Sequence, residues 1–235
     1  MSAAPPRREA LEDALRRTAE RHYHHLHPFN LRMHAGGLTP EELQRWIVNR
    51  YHYQRHIPVK DSLILAKLPA LGARRLWIRR IVDQDGSAGG EGGLEAWLRL
   101  GEAAGVRREA MEDEDRVVPG VRFAVDAYVN FCRLRPWPEA VAASLTELLA
   151  PGLMEERIAA FGQHYPWVEP GGLDYFRRRV TQGERDAREA LALVLDAART
   201  PPEQEAAVAA VRFKCGILWS LLDALDASPD GARRD

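Results

Sequence analysis

The chain has 235 residues, 46% of them hydrophobic, enough to bury the core of one large domain or two small ones. Lys and Arg total 33 against 34 Asp and Glu, a formal net charge of -1; this excludes a global electrostatic footprint for nucleic acid or an anionic membrane and leaves only local basic patches. Cys132 and Cys215 stand far apart in apolar-periodic segments with no metal-ligand spacing and read as buried free thiols. The N-terminal residues lack the apolar centre of a signal peptide and no run of about 18 apolar residues follows, so a cytoplasmic protein is expected.

From Arg8 to about His25, residues Leu11, Leu15, Ala19 and Tyr23 recur at helical spacing, with Pro28 as the stop signal. His22, His24, His25 and His27 crowd this helix end, but no acidic residue sits at a fitting ligand offset, and a metal is not expected. Thr39-Pro40-Glu41-Glu42 is a strong helix start, with a Thr cap, Pro at the first position and Glu at the third. The helix it opens extends to about Lys67. At about 100° per residue it places Trp46, Arg50, Tyr53, Gln54, Ile57 and Lys60 on one face. Two cations, a phenol and an amide turned the same way as a Trp suit a flat, anionic ligand better than an ordinary core; the bland alternative is a surface helix kinked near Gln54 by Pro58, with snorkelling cations. Tyr51, His52, Arg55 and His56 fall on the other side.

A short helix is predicted from about Ala73 to Asp83. A loop follows through the run Gly89-Gly90-Glu91-Gly92-Gly93, which lacks the Lys-Ser/Thr signature of a phosphate loop. Leu94 to Leu100 continues as helix. So does Val118 to about Arg133, with Phe123, Ala127, Tyr128 and Phe131 expected inward. Pro136-Trp137-Pro138 reads as a break, Ala140 to Leu149 as a helix carrying Glu147, and Leu153 to Phe161 as one carrying Arg157. Two long helices close the chain, Gly172 to about Ala198 and Pro202 to about Leu225. No alternating segment signals a sheet. These elements describe an all-α, single compact bundle of about seven helices over residues 8–227, with disordered ends at 1–7 and 228–235.

Glu147 sits in an apolar segment, where a carboxylate needs partners to remain charged. Tyr175 and Arg179 share a helix face, and Lys214 is embedded among apolar residues. With Arg50, Lys60, Arg80 and Arg157, these cations outnumber the acids available inside one bundle. A cavity with surplus positive charge points to a ligand with several carboxylates.

His27-Pro28-Phe29-Asn30, Asn49-Arg50-Tyr51-His52-Tyr53-Gln54, Ile57-Pro58-Val59-Lys60-Asp61, Ser144-Leu145-Thr146-Glu147-Leu148, Tyr165-Pro166-Trp167, Tyr175-Phe176, Arg185-Asp186 and Phe213-Lys214-Cys215 together span roughly residues 9 to 225. In them the chain resembles the pyrroloquinoline quinone synthases, helical bundles of the haem-oxygenase-like superfamily. The resemblance implies an enzyme without metal or organic cofactor, using dioxygen as co-substrate. Such an enzyme closes a ring in a polycarboxylated quinone precursor and oxidises it by eight electrons, releasing hydrogen peroxide and pyrroloquinoline quinone. It implies Arg50, Lys60, Arg80, Arg157 and Lys214 as holders of carboxylates and quinone oxygens. Tyr23, His24, Tyr53, Gln54, Tyr128 and Glu147 would shape the pocket and relay protons, and Tyr175 and Arg179 would line the part that receives oxygen, where a cation stabilises developing negative charge. It also implies a homodimer, with Tyr51 and His52 as a candidate face, and a partner protein from the same biosynthetic route.

Two positions depart from the family pattern. Gln84 stands where members commonly have a histidine before Asp-Gly, and Met154 where many have one near the oxygen region. An amide does not titrate near neutrality and cannot serve as a general base, and Met donates no strong hydrogen bond. The alternatives are therefore a quinone-binding homologue with impaired turnover, or another enzyme of the same superfamily. Against the latter, no di-iron spacing surrounds Glu147, and both cysteines lie in apolar patterns unlike a nucleophile's.

Overall fold

The computed structural model describes residues 8–227; the expectations for residues 1–7 and 228–235 lie outside it. Within those bounds the chain folds as helices α1 (Arg8–His22), α2 (Pro28–His34), α3 (Pro40–Leu65), α4 (Leu71–Asp85), α5 (Gly93–Ala103), α6 (Arg108–Glu112), α7 (Pro119–Leu134), α8 (Trp137–Ala142), α9 (Ala150–His164), α10 (Asp174–Ala197) and α11 (Pro201–Asp226). The only extended pairing among the described residues is a tiny hairpin, Gly86–Ser87 against Gly90–Glu91. The all-α bundle is as expected, although the long helices number eight rather than about seven.

The two 26-residue helices, α3 and α11, are launched in the same way. Thr39 and Thr200 each form a reciprocal capping box, with Glu42 and Glu203, and each is followed by Pro at the first turn. Helix α3 packs against α4, α5 and α7, and α11 lies against α1 and α7, while α10 pairs with α9. Buried between them, Trp46 of α3 meets Trp97 of α5 at 5.5 Å, and Trp97 meets Tyr175 of α10 edge-on at 4.7 Å. The Trp97 indole donates to the Ile47 carbonyl at 2.9 Å, so this aromatic stack is also hydrogen-bonded into place. Asn49, fully buried, accepts from the Val118 amide at 2.8 Å and ties α3 to the start of α7.

Several local expectations are corrected. On α7 the buried stripe is Val121, Ala124, Val125, Tyr128 and Cys132; Phe123 points outward at 72% exposure, and Ala127 is exposed. The bulky aromatics drew the stripe off its true face, which is filled by small and β-branched residues against α3 and α11. The break expected at Pro136-Trp137-Pro138 falls at Arg135-Pro136, and Trp137-Pro138 already starts α8, because Pro is tolerated in a first turn. Glu147 lies on a 3₁₀ segment, Ala143–Leu149, between α8 and α9, not on an α-helix. Helix α1 ends at His22, with a separate 3₁₀ turn at His24–Leu26, and the short α6 has no counterpart in the expectation. Tyr51 and His52 are buried by the chain itself, His52 facing Glu114 at 3.1 Å, so they offer no free dimer face. Cys132 and Cys215 are buried free thiols, as expected.

Candidate active site

An interior cavity is lined by Tyr23, just past the end of α1, and from α3, α4, α5, the 3₁₀ segment Ala143–Leu149, α9, α10 and α11. Among its lining residues are Tyr23, Arg50, Tyr53, Gln54, Arg80, Gln84, Glu147, Met154, Arg157, Tyr175 and Arg179, all singled out from the sequence. Ile57, Asp61, Trp97, Thr146, Ala150, Asp186 and Leu218 complete the wall. The space left for solvent inside is about 70 Å³, room for only a few waters unless these side chains move apart. Glu147 and the adjoining 3₁₀ segment also border a groove open to the surface beside Arg8, Arg16 and Arg188.

The remaining sequence candidates stand behind the wall. Lys214 donates to the Tyr53 hydroxyl at 2.7 Å and lies 3.7 Å from the centre of the Tyr128 ring, and these two phenol rings are stacked in parallel, 6.5 Å apart. Lys60 donates to Asp61 at 2.7 Å and to Ser144 at 3.1 Å. His24 packs edge-on against Tyr23 at 4.4 Å.

The charged groups fall into two sets. In one, Arg80 binds Glu147 at 2.6 Å and stands 3.6 Å from Asp61 and 3.7 Å from Asp186. Arg179 reaches Asp186 at 3.2 Å and Glu147 at 3.5 Å, and Arg185 closes the rear on Asp186 at 2.7 Å. Burial works against Arg80's charge, yet Glu147, Asp61 and Asp186 hold its proton more tightly than usual, and the same balance keeps the Asp186 carboxyl below the ordinary range despite its own burial. Each buried ion here has a counter-ion. The second set is Arg50, Arg157 and Lys214, none with a carboxylate in ion-pair reach among the described residues. Arg50 lies over the Tyr53 ring at 4.1 Å, and Arg157 over the Trp46 ring at 5.0 Å. Burial and the Arg50 charge push Arg157 down to about 9, still charged at neutrality, and burial, Arg50 and Lys60 push the Lys214 ammonium well below its usual value against the pull of its two aromatic faces. In such a cluster the lysine gives up its proton first, because a guanidinium holds its own.

The neutral polar groups add donors. Gln54 Oε1 accepts from the Tyr175 hydroxyl at 2.9 Å and from Gln84 Nε2 at 3.2 Å, which leaves the Gln54 amide nitrogen free to donate into the cavity. Gln84 is buried and acts on Gln54 rather than standing free at the wall. The glycine run finds its use here: a Cβ on Gly93 would lie 2.6 Å from Gln84 Oε1 and 3.3 Å from the Tyr175 ring, so a larger residue would push the Gln84 amide out of its place beside Gln54. Burial raises the phenols, Tyr23 to about 12, and all the cavity tyrosines remain hydroxyl donors at neutral pH. Asp61, Asp186 and Thr146 were given no site role from the sequence, although each falls in a stretch that carried the resemblance, and Asp61 and Asp186 each follow a basic residue. Among the described residues no cluster of three His, Cys, Asp or Glu side chains is placed to hold a metal, and no helix is long and apolar enough to cross a membrane.

The sequence profile of the TENA/THI-4/PQQC family matches residues 13–224. The chain is 50% identical over 203 residues to a pyrroloquinoline-quinone synthase of Cronobacter sakazakii, covering 86% of this chain and 81% of that protein. It is 48% identical over 225 residues to one of Pseudomonas aeruginosa, covering 96% and 90%. Among solved structures it superposes on a domain with a heme oxygenase-like fold from Shewanella denitrificans (TM-score 0.76, 13% identity, 94% of this chain and 93% of that one). A TenA homolog from Pseudomonas syringae superposes with a TM-score of 0.72 at 16% identity, over 95% and 94%.

Proposed function

The chain belongs to the TENA/THI-4/PQQC family, and we propose that it is a pyrroloquinoline-quinone synthase, closing the ring of a polycarboxylated quinone precursor and oxidising it with dioxygen. The observation that carries this reading is the second charge set: Arg50 and Arg157 on the wall of one cavity and Lys214 just behind it, none with a carboxylate in ion-pair reach among the described residues. Such a cluster destabilises the empty protein and is offset only when an anionic ligand arrives. Hydroxyl and amide donors from Tyr23, Tyr53 and Gln54 extend the same preference for acceptor-rich, conjugated ligands.

In this reading Arg50, Arg157 and Lys214 are the primary carboxylate anchors. Arg80, Arg179 and Lys60 hold Glu147, Asp186 and Asp61 in place, and Arg80 and Arg179, which line the cavity, present their outer N–H groups to quinone oxygens. Tyr175 and Arg179 face the region where oxygen is reduced, with Met154 as an apolar wall. Dioxygen is the oxidant and no resident cofactor is invoked. The second reading, a quinone-binding homologue that turns over poorly, is favoured by one observation: Gln84, bonded to Gln54, supplies no base. Purified protein incubated with the precursor in air separates the two. Oxygen uptake with release of product is expected; stoichiometric binding without oxygen uptake overturns the synthase reading. A homodimer belongs to the same reading, and a monomeric mass by light scattering at micromolar concentration would remove it.

A further inference from the structure

Asn30 contributes nothing to the cavity wall, yet Arg157 of the wall and His24 behind it both converge on it. It is fully buried on α2, whose start is built by His27: the ring accepts from the Phe29 amide at 3.0 Å as an N-terminal cap, Pro28 fills the first turn, and the third helical position faces inward. The orientation of the Asn30 amide is decided twice over. Its Oδ1 faces Arg157 Nη2 at 3.1 Å, and a guanidinium has no lone pair to offer, so the oxygen must be there. Its Nδ2 donates to the His24 carbonyl at 2.7 Å, a group that only accepts. The same Nδ2 lies 3.0 Å from His24 Nδ1, which therefore can only be an acceptor.

We propose that Asn30 is a positioning residue that locks His24 as the Nε2–H tautomer and steers the Arg157 guanidinium, so that both present donors to one anionic group of the ligand. His24 Nε2 and Arg157 Nε are both buried without a partner, and His24 leans on Tyr23, which lines the cavity. Burial and the charges of Arg50, Arg157 and Lys214 keep the imidazole neutral, consistent with this arrangement. A histidine held so takes no proton from a substrate. Its lone pair is committed to Asn30, and it serves as a fixed hydrogen-bond donor. The ligand half of this inference rests on the reading of the cavity as a polycarboxylate site; the tautomer does not.

The test uses full-length protein labelled with 15N-histidine, the His24 resonances being assigned by comparison with His24→Gln. The expected result is an Nε2–H imidazole in the wild-type protein that does not titrate between about pH 6 and 8. Asn30→Asp keeps the shape, removes the donor and adds a carboxylate beside Arg157. It should move the proton to Nδ1 and lower affinity for pyrroloquinoline quinone by about tenfold or more. A wild-type His24 found as Nδ1–H or as imidazolium at pH 7 overturns the inference even if Asn30→Asp fails to fold, as does an Asn30→Asp protein with unchanged tautomer and affinity. The wild-type tautomer as expected with no detectable binding of pyrroloquinoline quinone would overturn the ligand reading while supporting Asn30's hold on His24.

Discussion

The two charge sets of the cavity are built from similar residues and do opposite things. Around Arg80 and Arg179 every buried ion is matched, Glu147 and Asp186 each touching two or more guanidinium groups, and the cluster ties α4, α10 and the 3₁₀ segment together. Around Arg50, Arg157 and Lys214 the charges face aromatic rings, an asparagine and one another. The first set is structure, because removing a member strands opposite charges in a low dielectric. In the proposed reading, the second is a store of unfavourable energy that a polyanionic ligand would release.

The contrast is broken most directly at Arg80. Arg80→Met would leave Glu147, Asp61 and Asp186 short of a cation, and a loss of about 3–5 kcal/mol in urea unfolding is expected; a loss below about 1 kcal/mol would show that the pairing contributes little. A second substitution puts a titratable ring where the cavity has only amides. Gln84→His should raise the rate of product formation by about a hundredfold, within the range of a positioned imidazole, with affinity for the precursor unchanged. An unchanged rate would mean that the proton is taken elsewhere.

On the other side of the cavity, Lys214→Gln should reverse the pattern seen at Arg80. Affinity for pyrroloquinoline quinone should fall about tenfold or more, since a hydrogen bond to a charged group contributes about 1.5–3 kcal/mol. The melting temperature of the free protein should stay or rise, because a lysine whose charge is disfavoured by burial and by Arg50 and Lys60 leaves the cluster. A variant destabilised as Arg80→Met is would abolish the distinction between the sets.

The smallest expected effect is in pH. The folded pKa of Lys214 lies well below its unfolded value, so between the two the unfolded chain binds the extra proton and stability of the free protein rises with pH. A bound carboxylate lifts the pKa again, so binding takes up a proton in that window and affinity falls as pH rises through the free protein's Lys214 pKa. Calorimetry in two buffers of different ionisation enthalpy measures this uptake, and it should vanish in Lys214→Gln; an uptake that persists there belongs to another group.

Much of the site was legible because α3 displays it along one face: Arg50, Tyr53 and Gln54 follow Trp46 at helical spacing and all four reach the interior side. The α7 stripe was misread at Phe123 and Ala127, because Phe123 has the size of a core residue, whereas the packing against α3 and α11 accepts Val121, Ala124 and Val125. Glu147 was recognised from its apolar surroundings, but its 3₁₀ backbone follows from how α8 and α9 are joined, which no local propensity states.

The sequence by itself determined the helices, through capping boxes at Thr39 and Thr200 and apolar periodicity, and the surplus of cations within them, since these depend on neighbours within a few residues. Only the tertiary structure decided which cations are matched and which are not. Arg80 meets Glu147 across 67 residues, and Asn30 meets Arg157 across 127. Partners so distant are chosen by how whole helices dock, and electrostatic coupling falls off too steeply with distance and solvent exposure for the order of residues along a chain to reveal it.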